Sequence, residues 1–401
     1  MLPPENVRAG ELVAVAERPG PDWIPLLSDV LGRGAAILPL DERLTARERR
    51  EIVARARPSL LFEGGAWQRL EDAPPAEGLA MVIATSGVGG VPKLVELEPA
   101  AVAAAVSSSA VALGATSRDR WLCCLPLAHV GGLLVLLRAV VLGAPVVVRE
   151  RFDPRIVPDA EAEFTALVPT MLQRLLDARI DLTGFHSILV GGAPLREDLR
   201  ERALAAGAPV VETYGLTESC GGIVYDGRPL SGTEVRVAAD ATERGGTDGG
   251  IELRGPTLMR GYRLDRAATA NAFTPDGWLR TGDAGRIDER GRLGVDGRID
   301  ELIATGGEKV WPGEVESVLS SHPGVAEVAV AGRPDAEWGR RVVAFVVPAH
   351  PDAPPSLDEL RDHAARTVAR FKAPRELVLV NVLPRTASGK VRRAALPGTP
   401  E

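Results

Sequence analysis

The feature that most constrains the fold is an alternation running through the first half of the chain. Short β-branched runs, "AAILPL", "LAMVIAT", "WLCCLPL", "APVVVRE", "TALVP", "SILVGG" and "APVVETYG", are separated by helical stretches rich in Ala, Leu and Arg. Such alternation predicts α/β layering, with the loops at strand ends available for ligands. From about Leu230 the texture changes to shorter strands with Gly-rich turns, as in "GTEVRVAAD", "GGIELRG" and "GRLGVDGR", which predict a smaller β subdomain. After "GRIDELIATGG" come a helix in "WPGEVESVLSSHP", strands in "VAEVAVAG" and "RRVVAFVVP", a helix in "SLDELRDHAARTVARF" and a strand in "ELVLVN". These predict a separate α+β domain of about one hundred residues.

A chain of 401 residues, 45% hydrophobic, can bury the cores of two or three such domains. Its net charge of −7 argues against a nucleic-acid partner, because no basic face would neutralise a run of phosphates. The beginning, "MLPPENVRAGELVAVAERPG", has no basic segment followed by an apolar stretch, so the expectation is a cytoplasmic protein. The longest apolar run, "GGLLVLLRAVVLGAPVVV", is broken by Arg138, Gly and Pro, so no membrane insertion is expected. Three cysteines cannot form a disulfide framework. Adjacent Cys123 and Cys124 lie on a predicted strand, where they would point to opposite faces and pack in the core.

Two segments carry groups suited to phosphate chemistry. In "MVIATSGVGGVPKLVEL" an apolar strand runs into Thr85, Ser86, Gly87, Gly89, Gly90 and Lys93. Glycines let backbone N–H groups approach an anion, hydroxyls add donors and lysine adds charge, although a Gly-rich turn also serves as a plain connection. The segment lacks the G-K-[ST] ending of the nucleoside-triphosphate P-loop. In "VVETYGLTES", Thr217 and Glu218 follow a strand and a Gly turn. A hydroxyl and a carboxylate there suit a phosphate oxygen and Mg²⁺, and Thr217 reads equally as a helix N-cap. Only four of the 47 basic residues are lysine, at Lys93, Lys309, Lys372 and Lys390. Where lysine persists among arginines, a compact charge on a flexible stem is what the site would require.

Seven motifs, "TSGVGGVPK", "LPLAHVGG", "LVGGAPL", "TYGLTE", "GWLRTGDAG", "GRIDELIATGGEKVWPGEVE" and "PRTASGK", occur in an order that resembles the acyl-adenylate-forming superfamily of acyl-CoA synthetases, luciferases and peptide-synthetase adenylation domains. Within it the run after His129 and the short beginning look most like the o-succinylbenzoate:CoA ligases of menaquinone biosynthesis. The resemblance implies a large layered α/β AMP-binding domain over residues 1–297, a hinge at 298–300 and a small mobile α+β domain over 301–401. It also implies ATP, Mg²⁺ and a carboxylic acid as substrates and cofactor, CoA as co-substrate, and a homodimer as the candidate assembly.

Site residues follow from the same resemblance. Thr85 to Lys93 would hold phosphates; Gly191, Gly192, Ala193 and Pro194 with Thr213, Tyr214 and Gly215 would frame adenine and acyl groups, Gly192 lying on the acyl side. Thr217 would contact the α-phosphate, Glu218 would hold Mg²⁺, and Asp283 with Arg298 would bind the ribose hydroxyls. His129 would line the acyl channel, Asp300 would be the pivot, and Gly306, Gly307 and Trp338 would meet CoA. Lys390 would meet the charge growing on the α-phosphate and the attacking carboxylate, a task for a mobile ammonium. From the residues alone, His129 reads first as a core histidine, while Asp283 also reads as a turn aspartate and Trp338 as a surface aromatic on a hairpin.

Two departures from the family pattern stand out. Val88 and Gly89 occupy positions where relatives usually carry hydroxyls, and only 84 residues precede Thr85, which trims a region that carries oligomer contacts in relatives. Arg138 is the only charged residue between Leu133 and Val148. A buried arginine needs an anionic partner unless its stem snorkels to solvent or to a structural carboxylate. In the ligases that this chain resembles, an arginine at this offset from the histidine meets the substrate carboxylate that is not activated. The competing functions are an adenylating enzyme that loads a carrier-protein thiol, and an acyl- or nucleotide-binding relative without chemistry.

Overall fold

Each β-branched run of the first half becomes a strand. In a computed structural model that describes residues 1–85, 92–238, 249–385 and 391–399, these runs fill two seven-stranded sheets. The first has the order Gly261–Tyr262, Lys93–Leu97, Met81–Thr85, Ala36–Pro39, Leu12–Ala16, Leu60–Glu63 and Ala66–Arg69. Its four middle strands, from Met81–Thr85 to Leu60–Glu63, are parallel, and antiparallel strands close both edges. The second sheet has the order Arg228–Pro229, Gly221–Tyr225, Val210–Leu216, Ser187–Val190, Phe164–Leu167, Trp121–Cys123 and Val146–Val148. It is parallel from Val146–Val148 to Val210–Leu216 and turns antiparallel at Gly221–Tyr225.

Helices fill the space between the sheets. Trp23–Gly32 packs on the strand Ala36–Pro39 and on the helix Val130–Leu142, which itself packs on Trp121–Cys123 and Val146–Val148. Val130–Leu142 is buried along most of its length, as a sequence apolar but for Arg138 requires. On the outer face, Ala46–Ala56 starts at a capping box in which the Thr45 N–H donates to Glu48 at 2.8 Å and the Glu48 N–H donates to Thr45 Oγ1 at 3.3 Å. Such a cap is worth about 1 kcal/mol. Cys123 and Cys124 are buried, as expected for core packing. Burial pushes the Cys124 thiol up to about 12, so it stays protonated.

The chain divides into two compact units. The first comprises Met1–Leu195, Leu199–Val235 and Leu253–Arg280; the second comprises Arg196–Asp198, Arg236–Glu252 and Thr281–Glu401. The second unit contains most of a four-stranded sheet ordered Glu234–Ala238, Gly249–Arg254, Leu279–Ile287 and Leu293–Arg298. It also holds a five-stranded sheet built on the long hairpin Val325–Asp335 and Gly339–Pro348, with Glu376–Leu379 added in parallel. Pro312–Leu319 and Leu357–Ala364 cover this sheet through Val315, Leu319 and Leu360, all fully buried. The second helix is shorter than its apolar pattern, because Ala365 to Thr367 form a turn whose Thr367 and Val368 N–H groups both donate to the Ala364 carbonyl. No helix among the described residues is long and apolar enough to cross a membrane.

Candidate active site

In the first unit the candidate residues sit just past the carboxyl ends of strands, where open α/β sheets bind ligands. Thr85 ends Met81–Thr85 and is paired in register with Lys93, the first residue of the returning strand, so the pair closes the base of the Gly-rich connection. Lys93 is exposed, and its ammonium lies 4.7 Å from the centroid of the Tyr262 ring. Thr217 and Glu218 form a single 3-10 turn directly after Val210–Leu216. The cap of that turn is Leu216, whose N–H donates to Ser219 Oγ at 2.8 Å, so Thr217 is not the N-cap. The Glu218 carboxylate accepts from the Tyr262 hydroxyl at 2.9 Å, and its main-chain carbonyl accepts from the Met259 N–H at 2.8 Å.

Gly191 follows Ser187–Val190 and lies against Thr213, on the neighbouring strand. A Cβ at Gly191 would lie 2.2 Å from Thr213 Oγ1 and 3.0 Å from its carbonyl oxygen, so only glycine fits there. Thr213 donates to the Val190 carbonyl at 3.3 Å, which ties the two strand ends together. Gly192, Ala193 and Pro194 are exposed beyond them, while Tyr214 and Gly215 continue the strand. His129 precedes the helix Val130–Leu142; its Nε2 lies 3.8 Å from Asp41 Oδ2 and its side chain is 39% exposed, so it is not a core histidine. Burial alone would push the Asp41 carboxyl up; the Arg43 guanidinium and N–H outweigh this and, with His129, hold it below the usual carboxylate range.

Arg138 lies deep in the same unit, 4% exposed. Its stem does not carry the head to solvent. The guanidinium donates to the Leu134 carbonyl at 2.8 Å and to Ser109 Oγ at 3.0 Å, and it stacks 3.9 Å from the centroid of the Trp121 ring. The Tyr225 hydroxyl bonds the same Ser109 oxygen at 2.8 Å. Burial pulls the guanidinium pKa down; Tyr225 and Cys123 oppose this, and no carboxylate pairs with Arg138 among the described residues.

In the second unit Asp283 and Arg298 face each other across Leu279–Ile287 and Leu293–Arg298, with Nη1 3.4 Å from Oδ1. Asp283 is 6% exposed, and its N–H donates to Thr281 Oγ1 at 3.0 Å, so it is a strand residue and not a turn aspartate. Arg298 also donates to the Thr281 carbonyl at 3.0 Å and to Asp300 Oδ1 at 3.2 Å. Asp300 occupies the short turn Ile299–Glu301. Gly306 and Gly307, at φ +58° and +86°, make the two-residue connection between Ile303–Thr305 and Glu308–Val310. A Cβ at Gly306 would meet the Trp338 ring at 2.5 Å. Trp338 sits half-buried at the tip of the long hairpin, with the Arg375 guanidinium 3.8 Å from its ring centroid.

The AMP-binding enzyme family matches residues 63–263, and the AMP-binding enzyme C-terminal domain matches residues 314–390. The chain belongs to the AMP-binding enzyme family. A 2-succinylbenzoate–CoA ligase of Bacillus licheniformis is 38% identical over 336 residues, which cover 79% of this chain and 69% of that one. The o-succinylbenzoate CoA synthetase of Bacillus subtilis, solved in complex with the acyl-adenylate intermediate OSB-AMP, superposes with a TM-score of 0.87 at 31% identity, covering 98% of this chain and 89% of that one. The same enzyme solved with ATP and a magnesium ion gives a TM-score of 0.86 at 31% identity, covering 97% and 90%.

For this AMP-binding enzyme the residues that sequence reasoning missed are Tyr262, Asp41, Ser109 and Thr281. Tyr262 lies 44 positions from Glu218 and Asp41 lies 88 positions before His129, so no local spacing connects them. The one available signal was rarity, since Tyr262 is one of only three tyrosines in the chain. Lys390, Ser86, Gly87, Val88, Gly89 and Gly90 lie outside the described residues.

Proposed function

We propose that this AMP-binding enzyme is an ATP-dependent acid:CoA ligase whose acid is o-succinylbenzoate. The observation that carries the reading is the match along nearly the whole chain to a synthetase solved with its acyl-adenylate. In the first half-reaction a carboxylate oxygen attacks the α-phosphorus of ATP, the α–β phosphoanhydride bond breaks and pyrophosphate leaves. In the second, the CoA sulfur attacks the acyl carbonyl carbon, the carbon–oxygen bond of the mixed anhydride breaks and AMP leaves.

The roles are assigned residue by residue. Thr85 and Lys93 bind the phosphates together with Ser86, Gly87, Gly89 and Gly90; Lys93 is exposed and free to bring its charge to them. Gly191 to Pro194 and Thr213 to Gly215 frame adenine and acyl groups, and the absence of a Cβ at Gly191 lets Thr213 pack against it and bring the two strand ends together. Thr217 donates to the α-phosphate. Glu218 suits Mg²⁺: it is one carboxylate at a strand end, and magnesium is commonly held by one or two carboxylates plus substrate phosphates. No cluster of three metal-ligating side chains exists among the described residues to hold an ion without substrate. When bound, the ion neutralises charge on the phosphate oxygens.

Asp283 binds the ribose hydroxyls, and its bond to Arg298 fixes the carboxylate for that task. Lys390 meets the charge that develops at the α-phosphate in the first half-reaction, and residues 301–401 turn about Asp300, within 298–300, relative to 1–297 before the second. Gly306, Gly307 and Trp338 then receive CoA. His129 lines the acyl channel with Asp41 behind it. Arg138 takes the carboxylate of the acid that is not activated; support comes from its buried charge without a carboxylate partner and from Nε, which has no hydrogen-bond acceptor among the described residues. A cytoplasmic location, where ATP and CoA are supplied, and a homodimer complete the proposal. Acid-dependent exchange of labelled pyrophosphate into ATP tests it: o-succinylbenzoate should support exchange without CoA, and failure of any acid to do so would refute the adenylation step.

A further inference from the structure

Tyr262 touches both charged groups proposed to handle the triphosphate. Its hydroxyl donates to Glu218 Oε1 at 2.9 Å while the Lys93 ammonium lies over its ring at 4.7 Å. The tyrosine is itself held firmly. Its N–H donates to Thr269 Oγ1 at 2.8 Å, and Gly261–Tyr262 pairs with Glu96 and Val95 at the edge of the first sheet. Three residues earlier, the Met259 N–H binds the Glu218 carbonyl. One short segment therefore fixes both the main chain and the carboxylate of Glu218.

The arrangement has an electrostatic logic. Lys93 and Glu218 carry opposite charges, and a direct ion pair would engage each with the other. Lys93 would then be less available to phosphate and Glu218 to a cation. Each instead engages Tyr262, Lys93 over the ring face and Glu218 at the hydroxyl, and no ion pair links Lys93 to Glu218 among the described residues. The ring face offers an exposed ammonium only about 0.5–1 kcal/mol, weak enough for a phosphate to displace it. The phenol hydrogen bond occupies Oε1 and fixes the carboxylate rotamer, leaving Oε2 without a protein partner among the described residues.

We infer that Tyr262 is a positioning residue that aims Glu218 Oε2 at the divalent cation of the nucleotide and keeps Lys93 from pairing with Glu218. The inference rests on the reading of Glu218 as the magnesium carboxylate. It is tested without turnover by titrating Mn²⁺ into the enzyme with a non-hydrolysable ATP analogue and following free Mn²⁺ by electron paramagnetic resonance. Tyr262→Phe keeps the ring and should weaken Mn²⁺ binding about tenfold, the usual effect of removing a partner that orients a metal ligand. Its melting temperature and its rate of thioester formation from supplied acyl-adenylate, a step without triphosphate, should match the wild type. Tyr262→Leu also removes the ring and should further weaken metal-free binding of the analogue, because Lys93 can then collapse onto Glu218. Wild-type Mn²⁺ affinity in Tyr262→Phe, with weakened affinity in Glu218→Gln, would overturn the role of Tyr262 alone. Wild-type affinity in Glu218→Gln would overturn the metal reading beneath it. A lowered melting temperature with equal loss in both half-reactions would make Tyr262 structural and also overturn the inference.

Discussion

Replacing Arg138 with methionine separates a binding role from a structural one. The guanidinium makes two hydrogen bonds, at 2.8 and 3.0 Å, and one stacking contact at 3.9 Å. Hydrogen bonds to a charged group contribute about 1.5–3 kcal/mol each and a desolvated cation–π contact about 2 kcal/mol. Against this stands the cost of burying an ion with no opposite charge beside it, several kcal/mol after relaxation. The two sides nearly cancel, and methionine of similar length removes both while Ser109 keeps the Tyr225 hydroxyl as partner. Arg138→Met should therefore leave urea-unfolding stability unchanged or raise it by about 1–2 kcal/mol, within the range seen when buried ions are replaced by apolar residues. For o-succinylbenzoate, kcat/KM should fall by about 2–5 kcal/mol in transition-state stabilisation, roughly 30-fold to 5,000-fold. A monocarboxylic aryl acid of similar size, which never used the guanidinium, should lose little. A large drop in stability with equal losses for both acids would refute the reasoning and leave Arg138 as a structural pin between Ser109 and Trp121.

Other outcomes follow from the same account. Lys390→Ala should slow adenylation by ~10²–10³ while largely sparing thioester formation from supplied acyl-adenylate, as separate half-reaction assays would read; equal loss in both steps would contradict a role confined to the first. Asp300→Pro should preserve pyrophosphate exchange and abolish CoA transfer, because proline fixes φ at the proposed pivot, and normal rates in both steps would move that pivot elsewhere. Gly191→Ala should cost about 1–3 kcal/mol of stability and weaken AMP binding measured by calorimetry, since the new Cβ would overlap Thr213 Oγ1. Adding Thr213→Ala should recover part of the stability only, because the Thr213 carbonyl remains 3.0 Å away.

The layered fold was legible because strand and helix signals are local. A run such as "SILV" has one reading, and Ser187–Val190 is a strand inside a parallel sheet. Gly306 and Gly307 entered only through the resemblance, and the structure adds that both hold positive φ, a conformation that favours glycine. The surroundings of each candidate side chain were not. Asp283 meets Arg298, His129 meets Asp41, and Arg138 meets Ser109 and Trp121 only because strand pairing and crossover helices bring distant segments together. No periodicity of 2 or 3.6 carries that information. Arg138 shows the consequence: its sequence context allows a substrate anion, solvent or a structural carboxylate, whereas the fold surrounds it with a hydroxyl, a helix carbonyl and an indole.

The central claim is that one site first makes an acyl-adenylate and then consumes it with CoA. Mass spectrometry of the enzyme incubated with ATP, Mg²⁺ and o-succinylbenzoate, with and without CoA, tests it most directly. The account predicts o-succinylbenzoyl-AMP and pyrophosphate when CoA is omitted, and o-succinylbenzoyl-CoA with an equal amount of AMP when it is present. Formation of ADP and phosphate, or an adenylate that CoA does not consume, would contradict it.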